Sequence, residues 1–394
     1  MTSSTPLAGL RVLEFTHMIM GPSAGMALAD LGAEVIKVEP APHGDSTRRL
    51  TGSGTGFYAA FGRGRRSLCV DMKKPEGQAL VRRLAERTDV LVENFRPGAM
   101  AKLGLGYEEL AKVNPGLVYA SCKGFLPGPY EHRTALDEVV QMMGGLAYMT
   151  GPTGRPLRAG SSVIDIMGGL SVVVAILSAL REREGTGRGG HVQAGLFESV
   201  ALLMSQHMAQ AHMTGAEPPP MSTRLPAWPV YDIFDTADGG QVFVGVVTDT
   251  SWPIFCNAFG LEDMASDPTL ASKNQRVEAR ARTIPRIAAA LAAYTKAELM
   301  AKCEALGLPF APIGRPAELF DDPHLNGSGG LVPMTLPDGR PIKLPALPVS
   351  IDGARPGGAG DLRLPGADGA AIAAELGYSE AEIAALKAAG VLTV

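Results

Sequence analysis

The sequence predicts an α/β protein of two domains, a large one built on a parallel sheet covered by helices and a smaller α+β one. Three observations carry this expectation. Over the first two hundred residues, short β-rich runs alternate with helical periods, which is the sequence form of a parallel sheet. The chain has 394 residues, more than one hydrophobic core usually organises. A Pro218-Pro219-Pro220 run, through which no helix continues, then precedes a hairpin and further helices.

In order along the chain, residues 11–15 read as a strand, 23–31 as a helix and 34–38 as the next strand, a compact βαβ unit. Residues 68–71 repeat the strand, 75–86 a helix opened by Pro75, and 90–94 another strand. Residues 107–113 and 117–122 continue the alternation. A Gly-rich stretch over 43–66 interrupts it, and structureless stretches of that length are usually functional, so it is a candidate ligand loop. Residues 196–213 read as helical before the proline run. Residues 230–234 and 241–247, joined through Asp238-Gly239-Gly240, form the expected hairpin, followed by helices over 284–294 and 296–306. Gly and Pro are dense from 309 to 365, as in a linker, and two Ala-rich helices end the chain.

Hydrophobic residues make up 46% and charged residues 19%, enough to bury a large core and too apolar for a disordered chain. Lys+Arg 36 against Asp+Glu 40 lacks the basic excess of a protein that neutralises nucleic-acid phosphates, so no nucleic acid is expected. Cys69, Cys122, Cys256 and Cys303 lie far apart without a CxxC pair, which suggests no metal cluster and no disulfide framework. The amino terminus, Met1 to Pro6, lacks the pattern of a signal peptide. The best apolar run, 166–180, is too short for a bilayer, so no membrane partner and a cytoplasmic location are expected.

Two motifs are set aside. Gly21-Pro-Ser-Ala-Gly25 matches a nucleophile elbow in letters, but the first strand leaves too little upstream chain for the second oxyanion-hole loop. Gly52-Ser-Gly-Thr-Gly56 fits neither standard phosphate loop. His17 follows the first strand, on the ligand side of such sheets, and reads as either a structural or a ligand-facing histidine. Asp165 stands before the apolar run where a helix N-cap belongs. It reads as a capping residue or as a carboxylate held for nucleophilic work. Basic residues gather at Arg63, Arg65, Arg66, Lys73, Lys74, Arg96 and Lys102. Arg65 and Arg66 close the Gly-rich stretch, and Arg96 follows a strand end where anions bind, so phosphate contact competes with a solvated surface.

With these residues laid out, the sequence resembles the family III CoA-transferases, the group that includes formyl-CoA transferase, carnitine CoA-transferases and α-methylacyl-CoA racemases. The likeness covers nearly the whole chain. It is carried by residues 6–15, 28–40, Arg66-Ser67, 89–98, 103–107, Gly124-Phe125 and Thr186-Gly-Arg-Gly189 in the family's order. The resemblance implies a Rossmann-like large domain and an interlocked homodimer. Residues 1–200 and 336–394 would form the large domain and 226–310 the small one, with linkers at 201–225 and 311–335. It implies that Asp165 is the catalytic aspartate and Asp137 the second acidic position. The CoA-lining loop becomes His17, Met18, Ile19 and Met20, and the basic phosphate-side position becomes Lys102. Pro40 stands where the family has another CoA-contacting arginine, and the Gly-rich lid of formyl-CoA transferase is not evident over 223–227.

The racemases place a histidine before the second acidic position, where this chain has Leu136. A racemase needs two proton-transfer groups and a transferase only a carboxylate nucleophile, so transfer is favoured. The expected activity is therefore movement of CoA from an acyl-CoA donor to a free acid through an aspartyl anhydride and an enzyme-CoA thioester. Coenzyme A thioester enters as substrate, and no metal or redox cofactor is required. Backbone amides of Gly144 and Gly145, unobstructed by side chains, are candidate ligand contacts. Arg158, seven residues before Asp165, reads either as a surface or structural ion-pair arginine or as a grip on the far carboxylate of a short dicarboxylic acid of the succinate, malate, mesaconate or itaconate type. An α-methylacyl-CoA racemase and a non-catalytic acyl-CoA-binding protein are the competing readings.

Overall fold

The computed structural model describes residues 5–224, 226–357 and 360–394. Residues 1–4, part of the signal-peptide reading, and Leu225, inside the segment searched for a lid, lie outside them. The chain divides into one unit of Met1–Ser222 with Asp322–Val394 and a second of Thr223–Asp321.

The first unit is built on six parallel strands: β1 Arg11–Phe15, β2 Glu34–Pro40, β3 Arg65–Val70, β4 Val90–Glu93, β5 Val118–Lys123 and β6 Gly190–Gly195. Their order across the sheet is β3-β2-β1-β4-β5-β6, so the strand order reverses between β1 and β4. Successive side chains of a strand face opposite sides of the sheet, and here each side feeds its own core. Val12, Val35, Val90 and Val92 pack on one face, Leu13, Ile36 and Leu91 on the other. In register, Leu13 stands opposite both Ile36 and Leu91, which aligns the apolar layer across three strands.

The helix over Val163–Thr186 is the longest of the described residues and corrects the expectation from the 166–180 run. At 24 residues it is long and apolar enough to cross a membrane by length and composition. In this fold it packs one face on the Met20–Asp30 helix and on β5 and β6, burying Ile164, Gly168, Gly169, Val172, Val173, Ile176 and Leu180. Gly169 permits the close approach: a Cβ there runs into the Ser23 side chain and the Met20 backbone. Because a backbone atom cannot step aside, Gly169→Val is expected to cost roughly 2–3 kcal/mol of stability by overpacking, read as a lowered denaturant midpoint. A change below about 0.5 kcal/mol would show that the two helices do not need this contact.

Three further expectations are corrected. The 43–66 stretch is not structureless. It forms short 3-10 turns at Ser46–Arg49 and Gly52–Gly54 and a helix at Phe57–Phe61, and Asp45 accepts from Thr47 N–H to open the first turn. The proposed 311–335 linker carries β structure at both ends: Phe310–Pro312 pairs with Gln241–Val246, and Leu331–Thr335 pairs antiparallel with Pro341–Pro345. Proline is tolerated on such edge strands, which is why Pro density misreads there as linker. After the two final helices, Gly369–Glu375 and Glu380–Ala388, Leu392–Thr393 adds an antiparallel strand beside β3.

The second unit is an antiparallel three-stranded sheet, Val230–Asp235, Gln241–Val246 and Phe310–Pro312. The Arg280–Leu291 and Lys296–Ala305 helices pack on it. It has its own core, including Phe255, Leu291 and Leu299.

Candidate active site

In an open parallel sheet, ligands bind outside the carboxyl ends of the strands where the strand order reverses. Here that place is the turn from β1 into the Met20–Asp30 helix, residues 16–19, facing Asn94 beyond β4 and Lys123 at the end of β5. A cavity of about 310 Å³ opens there, and His17, Met18, Ile19, Met20, Asp137 and Asp165 all line it. Residues that the family resemblance assigns to one site are thus neighbours around one cavity.

Asp165 is not the N-cap of its helix. Ser162 occupies that position without a side-chain cap, and Asp165 sits in the first turn. The capping is supplied from outside by Asp137, whose Oδ2 accepts from the backbone N–H of Ile164 at 2.9 Å and of Asp165 at 3.2 Å. Its Oδ1 accepts from Gln141 Nε2 at 2.6 Å and from Arg158 Nη2 at 3.4 Å. With its own oxygens used in this way, Asp137 is a fixed anchor that holds the first turn of the Asp165 helix in place. Asp165 stands beside it, and burial first, then the neighbouring Asp137 charge, push its carboxyl up to about 7 against the pull of Arg158. The site therefore sets a half-buried carboxyl that holds its proton tightly next to a buried, hydrogen-bonded one.

His17 exchanges two hydrogen bonds with Asn94: its N–H donates to Asn94 Oδ1 at 3.1 Å and its carbonyl accepts from Nδ2 at 2.8 Å. Its ring stacks on Phe95 at 5.8 Å, and burial lowers its pKa, which favours the neutral imidazole. Two cavities flank the first. One of about 540 Å³, along the ends of β1, β2 and β3, is lined by His17, Pro40, Arg49, Lys73 and Phe95 among others. Another, of about 600 Å³, is lined by Ser53, Leu157, Arg158 and Ser162 among others.

The basic residues expected at phosphates are not gathered there. Arg65 is buried inside the fold. Its Nε lies 2.9 Å from Glu14 Oε2, and it donates to the carbonyls of Phe61, Arg63 and Pro22. Four of its five N–H donors are consumed by a buried carboxylate and three carbonyls, and at 4% exposure it lines none of these three cavities. Arg66 points to another surface, paired with Glu34 and, at 2.6 Å, with Glu375. Arg96 and Lys102 are exposed beyond β4, and their neighbours Phe95 and Leu103, not they themselves, line the 540 Å³ cavity. Gly144 is also corrected. Its N–H is spent on Val140 O at 2.8 Å, and a Cβ there meets Val200, so the residue serves packing. Gly145 has a left-handed backbone, φ 84, and lies off the cavity wall.

Sequence reasoning did not single out Asn94, Lys123, Gln141 or Arg49, and placed Lys73 only within a basic cluster. Asn94 and Lys123 follow or end strands at the carboxyl edge, and that position was the available signal. Gln141 is fully buried with both ends of its amide engaged, to Asp137 and from Ala159 N–H at 2.9 Å, which only the folded contact reveals. Among the described residues, no group of three or more His, Cys, Asp or Glu is arranged to hold a metal ion.

Comparison with known proteins bears on what this site serves. The family model described as CoA-transferase family III matches residues 7–361. The chain is 36% identical over 349 residues to a succinate–glutarate CoA-transferase of Agrobacterium fabrum, covering 86% of this chain and 87% of that one. It is 35% identical over 346 residues to a succinyl-CoA–D-citramalate CoA-transferase of Chloroflexus aurantiacus, covering 86% of each. The crystal structure of a CAIB/BAIF family protein from Brucella suis superposes with a TM-score of 0.82 at 33% identity, over 95% of this chain and 100% of that one. The chain belongs to CoA-transferase family III and is an enzyme of CoA transfer.

Proposed function

We propose that this enzyme moves CoA from an acyl-CoA donor to a short dicarboxylic acid, with Asp165 as the covalent nucleophile. The observation that carries the reading is the half-buried Asp165 carboxylate on the wall of a cavity at the carboxyl edge of the sheet, its helix anchored by Asp137. An Asp165 oxygen attacks the thioester carbonyl, the C–S bond breaks, and CoA leaves as thiolate, giving a mixed anhydride. The thiolate then attacks the aspartyl carbonyl, expelling the donor acid and leaving an Asp165-CoA thioester. The acceptor carboxylate repeats the sequence in reverse: it displaces the thiolate to form a new anhydride, and the thiolate takes the acceptor acyl group while Asp165 is regenerated. Incubation with acyl-CoA followed by hydroxylamine or borohydride and peptide mass analysis tests this. Modification of Asp165 is the expected result, and a mark on any other residue overturns the assignment.

The dicarboxylate part rests on Arg158 and on the succinate, glutarate and citramalate that the similar enzymes carry in their names. Arg158 is one-third exposed and lines the cavities on both sides, but it already stands 3.4 Å from Asp137 and 3.8 Å from Glu138. A substrate carboxylate must compete with these partners, so the discrimination falls at the low end of a charge-assisted pair, about 1.5 kcal/mol or roughly tenfold. Succinate is expected to exceed butyrate as acceptor by that factor in kcat/KM, and Arg158→Ala to erase the preference. Equal values for the two acids, or proportional loss of both in the variant, would remove Arg158 from recognition. The racemase reading is disfavoured because Leu136, which occupies the histidine place, offers no proton-transfer group. Leu170, Val174, Leu177 and Leu202, all exposed and apolar, support the interlocked homodimer, which sedimentation at micromolar concentration tests. Four free cysteines support a cytoplasmic location, checked by fractionation of the source cells.

A further inference from the structure

We infer that Thr47 is a positioning residue of the transfer reaction, acting through the backbone of Met18. The inference rests on the transferase reading of the Asp165 cavity. Met18 and Asp352 are the two non-glycine residues of positive φ among the described residues, and Met18, at φ 62, lies in the wall of that cavity. A methionine held left-handed is a sterically costly choice that persists only where its surroundings impose it.

The imposing groups come from three separate parts of the chain. Met18 N–H donates to Thr47 Oγ1 at 3.0 Å, across 29 residues. The Thr47 hydroxyl is not free to turn away, because it donates to Asp45 Oδ1 at 2.8 Å, and the same oxygen accepts Thr47 N–H at 2.9 Å. Asp45 is fixed in turn by Lys37, whose Nζ lies 3.2 Å from Asp45 Oδ2 and donates to Thr16 O at 2.6 Å. Asn94 holds His17 from the other side. Thr16, His17 and Met18 are therefore each tied to a different element: β2, the end of β4 and the 46–49 turn. Thr47 itself is 2% exposed and lines none of the three cavities, so it touches no substrate. Its chemistry is fully accounted for by holding one peptide unit of the cavity wall.

Removing the hydroxyl while keeping the shape leaves Met18 N–H without its acceptor and removes the restraint on the left-handed turn. The wall facing Asp165 then rearranges, while the 540 Å³ cavity beyond His17 keeps its residues. Thr47→Val is expected to lower kcat for acetyl-CoA with succinate by 10- to 30-fold. Because Met18 belongs to the loop that the family resemblance assigns to CoA, the calorimetric dissociation constant for CoA should rise as well, by less than the fall in kcat, and the binding stoichiometry should report the folded fraction. Thr47→Ser, which keeps the oxygen, should retain at least a third of the parent kcat. A crystal structure of Thr47→Val should show Met18 away from positive φ. The proposal is overturned if Met18 keeps φ near 60° in that structure, if Thr47→Ser is as slow as Thr47→Val, or if kcat per CoA-binding molecule is unchanged. Absence of any CoA exchange by the parent enzyme would instead refute the transferase reading, and the Met18 conformation in the variant would still test the hydrogen bond.

Discussion

Asp165→Ala is expected to reduce kcat by at least about 10⁴-fold while CoA still binds, because it removes the group to which the acyl chain and then CoA are covalently transferred. No neighbour can substitute. Asp137 spends its oxygens on the amides of Ile164 and Asp165, on Gln141 and on Arg158, and Glu138, which lines the same cavity, is exposed and stands 3.8 Å from Arg158. Loss of fold is separated from loss of chemistry by the sign of the stability change. The Asp165 carboxyl rises from its ordinary 3.8 to about 7 on folding, so the folded chain binds the proton more tightly than the unfolded one. Its contribution to stability is complete below pH 3.8 and is lost as pH rises through 7, where a half-buried charge must be carried at a cost of at most about 4 kcal/mol. The alanine variant is thus expected to be inactive yet more stable than the parent at pH 8, with the gain shrinking towards pH 5. Thermal unfolding at the two pH values reads this directly. A variant that keeps ordinary turnover, or one that is inactive and less stable at pH 8, would contradict the assignment.

The parts of this protein that the sequence makes legible are those governed by local periodicity. Residues 11–15 and 107–113 are bounded in the structure as their patterns predict, and β2 and β4 differ from prediction by only one or two residues at their ends. What local pattern cannot carry is partner choice across distance. The Arg65-Arg66 pair reads as a phosphate grip, yet Glu14, 51 residues away, takes Arg65 into the interior, and Glu375, 309 residues away, takes Arg66 to the surface. Asp165 looks like a cap because Asp is a good cap, and only the fold reveals that Asp137, 28 residues earlier, does the capping and so leaves Asp165 unspent. Asp165 stands out by its place before the apolar run, whereas Asp137 is found only through the family resemblance. The 310–345 region failed for a different reason: its strands are short edge strands rich in proline, which share their composition with linkers.

kcat/KM for acetyl-CoA is expected to fall about 100-fold from pH 8 to pH 5, with a single limb of unit slope beginning near pH 7. The nucleophile must be ionised to attack, and a carboxyl pushed up to about 7 is only about one-hundredth ionised two pH units lower. Acetyl-CoA carries no carboxylate of its own in this range. Its 3′-phosphate does titrate near 6, so the dissociation constant of CoA measured over the same pH range separates binding from reaction. Two variants fix the origin of the limb, because the neighbours of Asp165 act in opposite directions. Asp137→Asn removes the adjacent negative charge and should move the limb to lower pH, though not to 3.8, since burial is the larger cause and remains. Its single carbonyl oxygen cannot serve the amides of Ile164 and Asp165 together with Gln141 as two carboxylate oxygens do, so a loss of stability should accompany the shift. Arg158→Gln removes the compensating positive charge and should move the limb upward. Opposite shifts of the two variants identify the titrating group as Asp165. A flat profile from pH 8 to 5 would mean that ionisation of Asp165 does not limit the reaction, and shifts of the same sign would mean that a different group sets the limb.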